Sequence, residues 1–493
     1  MEDEHLSDAD AFTVMMEDDP VLRSTIVVVA TLDQIPDWDR LVERAERATR
    51  LAPNFRRRLD LGGPPFAQPR WIGDPHFDLS WHMRRVAAPE PRTLDTVLDF
   101  AQITGMTAFD PIRPRWEFTL FEGLADGGAA FVLKLHHALT DGIGGIQLAE
   151  HLVDLEREPG PLGEMPPEPE DPSGDLIETG VSAARFEAAR FWGITRNAAV
   201  AIPSFGWQIV RHPMSIWGEA ARNIRSTVRF VQPVTKTASP IMTDRHFSWR
   251  YNALDVSLDD LKAAARAASG TLNDAFLAGI SGGLARYHAS HESSVEEVRV
   301  TLPISLREEG DKSGGNRISL VRVTIPVGEH EPIKRMELIG ETIDRWRSEP
   351  ALPHSETIAG VLNLMPSAVI GGMLKHVDLV ASNVPGFNFD IFLSGARLTG
   401  FWVFGPTIGS AANVTLMSYA GRCYIGVNTD GGAIPDNDEF MKSLRAGFDE
   451  VIGLAGQTEA KPTAKTAAKP TAKPAAKKAT ATSKRKAQQK RPA

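Results

Sequence analysis

Between Gly160 and Gly174 the chain crowds five prolines, Pro161, Pro166, Pro167, Pro169 and Pro172. Proline fixes its own φ and offers no amide proton, so neither a helix interior nor a central strand can run through such a stretch. The segment reads as an exposed linker. It divides the 493 residues into an N-terminal unit (6–158), a linker with an amphipathic connector (159–238) and a C-terminal unit (239–456). The two flanking units are of ordinary to large domain size.

Both units mix element types. In the first, Ser24–Leu32 is rich in β-branched residues, Asp37–Leu51 has helical character, Trp116–Phe121 and Ala129–Leu135 read as strands, and Ile146–Leu155 as a helix. In the second, Ser257 and Thr271 each stand three residues before an aspartate, Asp260 and Asp274, the spacing of a helix-starting capping box. Strands are expected at Val298–Pro303 and Leu320–Pro326, and a hairpin joins Asn413–Tyr419 to Arg422–Asn428 through Ala420-Gly421. The pattern predicts an α/β protein of two sandwich-like lobes, with no sequence repeat between them.

The single cysteine, Cys423, excludes an intramolecular disulfide, fits a reducing compartment, and reads as a buried, inert thiol. The first residues, Met1-Glu2-Asp3-Glu4-His5, are acidic and lack the basic-then-apolar order of a signal peptide. The most apolar stretch, Leu362–Leu374, is interrupted by Pro366 and two glycines and falls short of the roughly 18 residues a spanning helix needs. A soluble or peripheral protein is expected. Charge is unevenly placed: the net value is −9, yet residues 457–493 carry 11 Lys/Arg against one acid, leaving −19 on the rest. That tail repeats Lys, Ala, Pro and Thr and has too little apolar bulk to order itself. Two readings of it are open: attraction to an anionic lipid or nucleic-acid surface, or plain solvation.

The chemistry concentrates in Phe131-Val-Leu-Lys-Leu-His136-His137-Ala-Leu-Thr-Asp141-Gly142-Ile-Gly144-Gly145. A strand leads in and a glycine-rich stretch leads out into a helix. Side chains alternate along a strand, so His136 shares a face with Lys134 and Val132, while His137 falls with Leu135 and Leu133. The two imidazoles therefore take different roles, one chemical and one supporting. Asp141 can fix the loop or a ring tautomer, and Gly142, without a side chain, lets a substrate approach closely.

This motif resembles the H-H-x-x-x-D-G signature of coenzyme A-dependent acyltransferases and peptide-synthetase condensation domains. Further blocks resemble one branch, the bacterial wax ester synthase/acyl-CoA:diacylglycerol acyltransferases. Pro114-Arg115-Trp116-Glu117 with Phe121-Glu122-Gly123-Leu124 is similar to that family's P-L-W-E…E-G-L block, with Arg115 in place of leucine. Asn273-Asp274, Pro303-Ile304-Ser305-Leu306-Arg307, Gly315-Asn316-Arg317, Ser382-Asn383-Val384-Pro385-Gly386 and Asn413-Val414-Thr415 resemble further blocks, in order over residues 6–455.

The resemblance implies two chloramphenicol acetyltransferase-like lobes with a substrate tunnel between them, and His137 as general base. A neutral imidazole can take a hydroxyl proton near pH 7. A thioester is already an activated acyl donor, so the alcohol attacks directly. Asn273 and Trp116 are candidates for substrate or oxyanion contact, although Asp274 reads as a helix cap, Asn383 as a turn former and Trp116 as core before substrate contact. Arg307 is a candidate ion-pair partner that pins Asp141.

The connector, with eight basic residues against two acids between Arg185 and Lys236, interleaves Trp192, Trp207, Trp217 and four phenylalanines. It suits a lipid interface or packing on the lobes. The activity implied is transfer of a long-chain acyl group from acyl-coenzyme A to diacylglycerol or a long-chain fatty alcohol. Acyl-coenzyme A is a co-substrate, and no cofactor or metal is expected. Partners beyond these substrates are a membrane or lipid-droplet surface, with no specific nucleic acid. The expected location is cytoplasmic, peripheral to the inner face of the plasma membrane or to lipid droplets. Rival readings are another alcohol acceptor such as a polyketide diol, or a nonenzymatic lipid- or nucleic-acid-binding protein.

Overall fold

Runs of β-branched and aromatic residues, bounded by turn formers, build two six-stranded mixed sheets, each with helices packed against it. The computed structural model describes residues 5–61, 68–139, 149–169, 236–305, 318–348, 372 and 374–459. Along the first unit come α1 (Asp8–Met15), β1 (Thr25–Leu32), α2 (Trp38–Leu51), β2 (Arg57–Asp60), β3 (Arg70–Gly73), α3 (Leu79–His82), β4 (Met83–Ala87), α4 (Leu94–Met106), β5 (Trp116–Glu122) and β6 (Ala129–His136). The second contributes β7 (Trp249–Ser257), α5 (Leu258–Ala267), α6 (Leu272–Ser290), β8 (Glu297–Ser305), β9 (Ile318–Pro326), α7 (Pro332–Arg347), β10 (Leu379–Val384), β11 (Phe392–Leu393), β12 (Ala396–Phe404), β13 (Ala412–Tyr419), β14 (Arg422–Asp430) and α8 (Asn437–Glu459).

The strand order is β11-β12-β1-β6-β5-β4 in one sheet and β7-β14-β13-β10-β8-β9 in the other. The expected unit 239–456 is therefore not one lobe in space. Its strands β11 and β12 leave the second sheet's sequence neighbourhood and complete the first sheet, Val29 facing Trp402 across the β1–β12 ladder. The reason is local. β12 alternates buried and half-exposed residues, and β1 would otherwise leave a bare edge beside a buried face. The stitch is tight: Gly426 of β14 lies against the carbonyl of Val403, and Trp402 Nε1 donates to Leu254 O at 3.1 Å. Helix α4 also bridges the sheets, as Tyr251 of β7 takes its N–H to Gln102 Oε1.

The proline-rich segment is not a free linker over its described part. Helix α2 presents a row of arginines that donate to its carbonyls: Arg40 to Gly160 O (3.1 Å), Arg47 to Gly163 O and Glu164 O (2.5 and 2.7 Å), Arg50 to Pro166 O (2.8 Å). An extended stretch poor in amide donors keeps its carbonyls free, and guanidinium forks are suited to take them.

Local expectations for the helices held with small changes. Ser257 accepts only from Asp260 N, whereas Thr271 and Asp274 form the full reciprocal box. The helix expected over Ile146–Leu155 ends by Leu152, because Asp154 forms a bridge to Phe392 instead. Residues 457–459 close α8 and are not part of a structureless tail. The hairpin turn carries positive φ at both Ala420 and Gly421 (44° and 81°), the twist that a two-residue hairpin turn needs. Asn383 lies within strand β10, paired with Leu416, and does not shape a turn. Cys423 is buried and its thiol is pushed up to about 12 by burial, consistent with an inert residue.

Candidate active site

Strand β6 runs through the middle of the first sheet between β1 and β5 and delivers the paired histidines at its end. His136 is the last strand residue, opposite Thr25. His137 opens a short 3₁₀ turn, His137–Leu139. The strand alternation stops there, so the turn geometry orients His137. Its N–H donates to Ser24 O at 2.9 Å, and its ring is half-buried. Nδ1 is enclosed and has no hydrogen-bond partner among the described residues.

His136 is wholly buried. Its Nδ1 accepts the N–H of Ala138 at 3.0 Å. An amide can only donate, so Nδ1 bears the lone pair and the neutral ring carries its proton on Nε2. Nε2 lies 3.3 Å from Glu17 Oε2, close but off the line of a straight hydrogen bond. Burial holds the His136 imidazole below its usual value despite the carboxylate beside it. Burial thus favours the neutral ring.

A polar cluster lies on the His136 face of the sheet. Glu17 follows α1, its Oε2 also accepting Ser24 N–H at 3.2 Å. Burial pushes the Glu17 carboxyl up, but His136, the Ser24 amide and the charge of Arg115 outweigh it and hold it below the usual range. Lys134, 1% exposed, sits 3.4 Å from Glu117 Oε1 with its ammonium 4.1 Å from the centroid of Phe109. Burial depresses the lysine, partly offset by Glu117. Arg115 is buried, and its carbonyl accepts His136 N–H at 3.0 Å. Among the described residues its Nε and Nη1 have no hydrogen-bond partner.

Trp116 points to the other side of β5 from Arg115. Its ring stacks on His82 (centroids 4.5 Å, 13°), and its Nε1 donates to Phe55 O at 2.9 Å. That is a core position, 5% exposed. Asn273 is half-buried on the first turn of α6, and no hydrogen bond among the described residues joins it to His137. Asp274 is spent on the cap, its Oδ2 accepting both the N–H and the hydroxyl of Thr271 at 2.7 and 2.8 Å. Asn413 ties its sheet to the exit of β12, Nδ2 donating to Pro406 O. Asp141, Gly142, Arg307, Gly315-Asn316-Arg317, residues 362–371 of the apolar stretch and nearly all of the aromatic connector lie outside the described residues. Glu17 escaped sequence reasoning. Its only signal was the acidic run Glu17-Asp18-Asp19 after a short helix, too common to single out.

Among the described residues no cluster of His, Cys, Asp or Glu could hold a metal, and no helix is long and apolar enough to cross a membrane.

Comparison with known proteins agrees with this arrangement. The profile of the wax ester synthase/diacylglycerol acyltransferase catalytic domain matches residues 6–276, and that of the WS/DGAT C-terminal domain residues 314–451. A Mycobacterium tuberculosis protein named as a diacylglycerol O-acyltransferase is 38% identical over 449 residues, covering 89% of this chain and 90% of its own. A second from that species, also so named, is 25% identical over 467 residues, covering 92% and 96%. Among solved structures, the wax ester synthase/diacylglycerol acyltransferase of Marinobacter aquaeolei superposes with a TM-score of 0.61 at 20% identity, covering 92% of this chain and all of the other. The starter condensation domain of rhizomide synthetase gives 0.58 at 14% identity, covering 92% and 95%. These two likenesses concern the fold, which is the two-lobed architecture expected from the motif. The profile matches and the 38% relative decide the family: this chain belongs to the wax ester synthase/diacylglycerol acyltransferase family and is an acyltransferase.

Proposed function

We propose that the enzyme transfers a long-chain acyl group from acyl-coenzyme A to the hydroxyl of diacylglycerol or of a long-chain fatty alcohol, with His137 as general base. The observation that carries the reading is the seat of His137. It leaves the central strand on a turn held through backbone N–H groups, with its ring half-buried and its Nδ1 enclosed. In the step, Nε2 takes the alcohol proton as the oxygen attacks the thioester carbonyl. The tetrahedral oxyanion collapses, the C–S bond breaks, and the proton passes from imidazolium to the departing thiolate. General base catalysis of this kind contributes about 10²–10⁴-fold. Asp141, Gly142 and Arg307 keep their expected places in this reading, as loop anchor, close-approach glycine and ion-pair partner, and the substrates meet in a tunnel between the lobes.

We further propose a cytoplasmic enzyme, peripheral to the membrane or to lipid droplets. What supports this is the surplus of +10 on residues 457–493 and the acyl substrates themselves. The test is purified enzyme with palmitoyl-coenzyme A and either diolein or hexadecanol, reading neutral-lipid product and free thiol together. His137→Ala should lose at least about 100-fold in both signals while staying folded. Near-wild-type turnover in that folded variant refutes the base assignment. Thiol release without ester product refutes the acceptors.

A further inference from the structure

We infer that Glu17 is a positioning residue for the acyl transfer: one carboxylate oxygen clamps both peptide segments that hold the His137 turn. This rests on the reading of His137 as base.

The turn that carries His137 hangs on two backbone groups. Its own N–H reaches Ser24 O at 2.9 Å, and the following N–H, of Ala138, reaches His136 Nδ1 at 3.0 Å. Glu17 Oε2 stands behind both supports. It accepts the N–H of Ser24 at 3.2 Å and faces Nε2 of His136 at 3.3 Å. The second contact selects the tautomer. With an anionic oxygen beside Nε2, the His136 proton stays there, and Nδ1 keeps the lone pair that Ala138 needs. Without the carboxylate the buried ring can place its proton on Nδ1. That proton would then confront the Ala138 N–H, and the turn would lose one of its two anchors. Histidine at this position therefore works as a relay of position. The proton transferred in the reaction never passes through it.

The setting suits that role. Helix α1 packs against the turn, so Glu17, two residues past its end, is delivered by a rigid element. Only 14% of the Glu17 side chain is exposed. Arg115 and Lys134 lie near enough to favour its ionised form. The His136 ring is also fixed edge-on to Phe109, with centroids 6.2 Å apart. A misplacement of about 1 Å in a catalytic group can cost on the order of 100-fold in rate. A carboxylate that never touches substrate can thus control turnover.

The experiment compares Glu17→Ala, His136→Asn and the double variant with wild type, measuring kcat and KM for palmitoyl-coenzyme A, with near-ultraviolet circular dichroism as the check of folding. The asparagine amide oxygen can stand where Nδ1 stands and accept from Ala138 whatever Glu17 does. Glu17→Ala should lower kcat by about 10–100-fold with KM within about twofold. In the His136→Asn background the same substitution should cost at most about threefold, the loss of the Ser24 hydrogen bond alone, since the tautomer it controls is gone. A folded Glu17→Ala enzyme with wild-type kcat overturns the proposal, as does an equal loss in both backgrounds, which is the mark of a merely structural residue. If Glu17→Ala does not fold, His136→Asn against His136→Gln decides. Asparagine should retain at least about tenfold more kcat than glutamine, whose amide reaches the Nε2 position, and the reverse order overturns it. His137→Ala runs beside these. If it is inactive while Glu17→Ala is normal, the clamp alone fails. If it is active, the base reading itself has failed.

Discussion

Gly426→Ala tests the join between the lobes. Gly426 is in β14 of the second sheet, but the backbone it touches belongs to β12 of the first. A Cβ built there would lie 2.2 Å from Val403 O and 2.9 Å from Val403 C, inside the 3.0 Å that real Cβ atoms respect. Neither neighbour is a flexible side-chain tip. Relief therefore needs the strand and sheet to part by about 1 Å, in a region where Trp402 Nε1 bonds Leu254 O and Tyr251 stacks on Phe404 at 4.3 Å. Overpacking of this kind costs about 1–3 kcal/mol, and a backbone-on-backbone clash belongs at the upper end. At about 2–4 °C per kcal/mol for a large domain, the expected fall in Tm is about 6–12 °C. The assay is differential scanning calorimetry of Gly426→Ala beside Gly453→Ala. Gly453 lies in α8 with nothing within 4 Å of its added carbon, so the control should be neutral or gain about 0.5–1 kcal/mol. Equal Tm values for the two variants would refute the claim that β12 is wedged on the second sheet.

Three other outcomes are expected. Thr271→Ala removes one half of the α6 capping box and should cost about 1 kcal/mol in denaturant unfolding with turnover unchanged; a loss of activity without a loss of stability would show that the Asn273 region acts on substrate. Acid should destabilise the protein early. His82, His136 and His288 are all held below their usual values, chiefly by burial, so the unfolded chain binds their protons first. Their contribution is complete above about pH 6.5 and falls by up to about 1.4 kcal/mol per pH unit for each as pH drops below it. A Tm that stays level from pH 7.5 to 5.5 contradicts this. Truncation after Glu459 should leave activity on detergent-dispersed substrate intact but reduce co-sedimentation with anionic vesicles at low salt, the difference vanishing near 1 M salt where the Debye length is about 3 Å. Undiminished vesicle binding at low salt would instead point to the aromatic connector.

The sequence alone determined whatever depends on neighbours along the chain. A capping box is a matter of three residues, so Thr271 and Asp274 announced the start of α6. A two-residue turn between two strands is equally local, and Ala420-Gly421 was legible before any fold was known. The histidine motif at the end of a strand, with its accompanying blocks, was specific enough to imply the family and the two-lobed fold.

Tertiary structure decided the rest, because those choices join residues far apart in sequence. Nothing in Ala396–Phe404 says that its partner is β1, more than 360 residues earlier; Thr31 meets Thr399 only once both faces need burying. The proline-rich segment looked free because its own residues have few donors, whereas the arginines that hold it are on α2, over 100 residues away. Trp116 could have faced substrate or core until Phe55 and His82 closed on it. Glu17 had no legible signal, since a carboxylate acquires a role here only from what folds against it: Ser24 on one side and His136, brought 119 positions back along the chain, on the other. Short-range rules constrain conformation, while partners are selected by the burial that all elements must satisfy together.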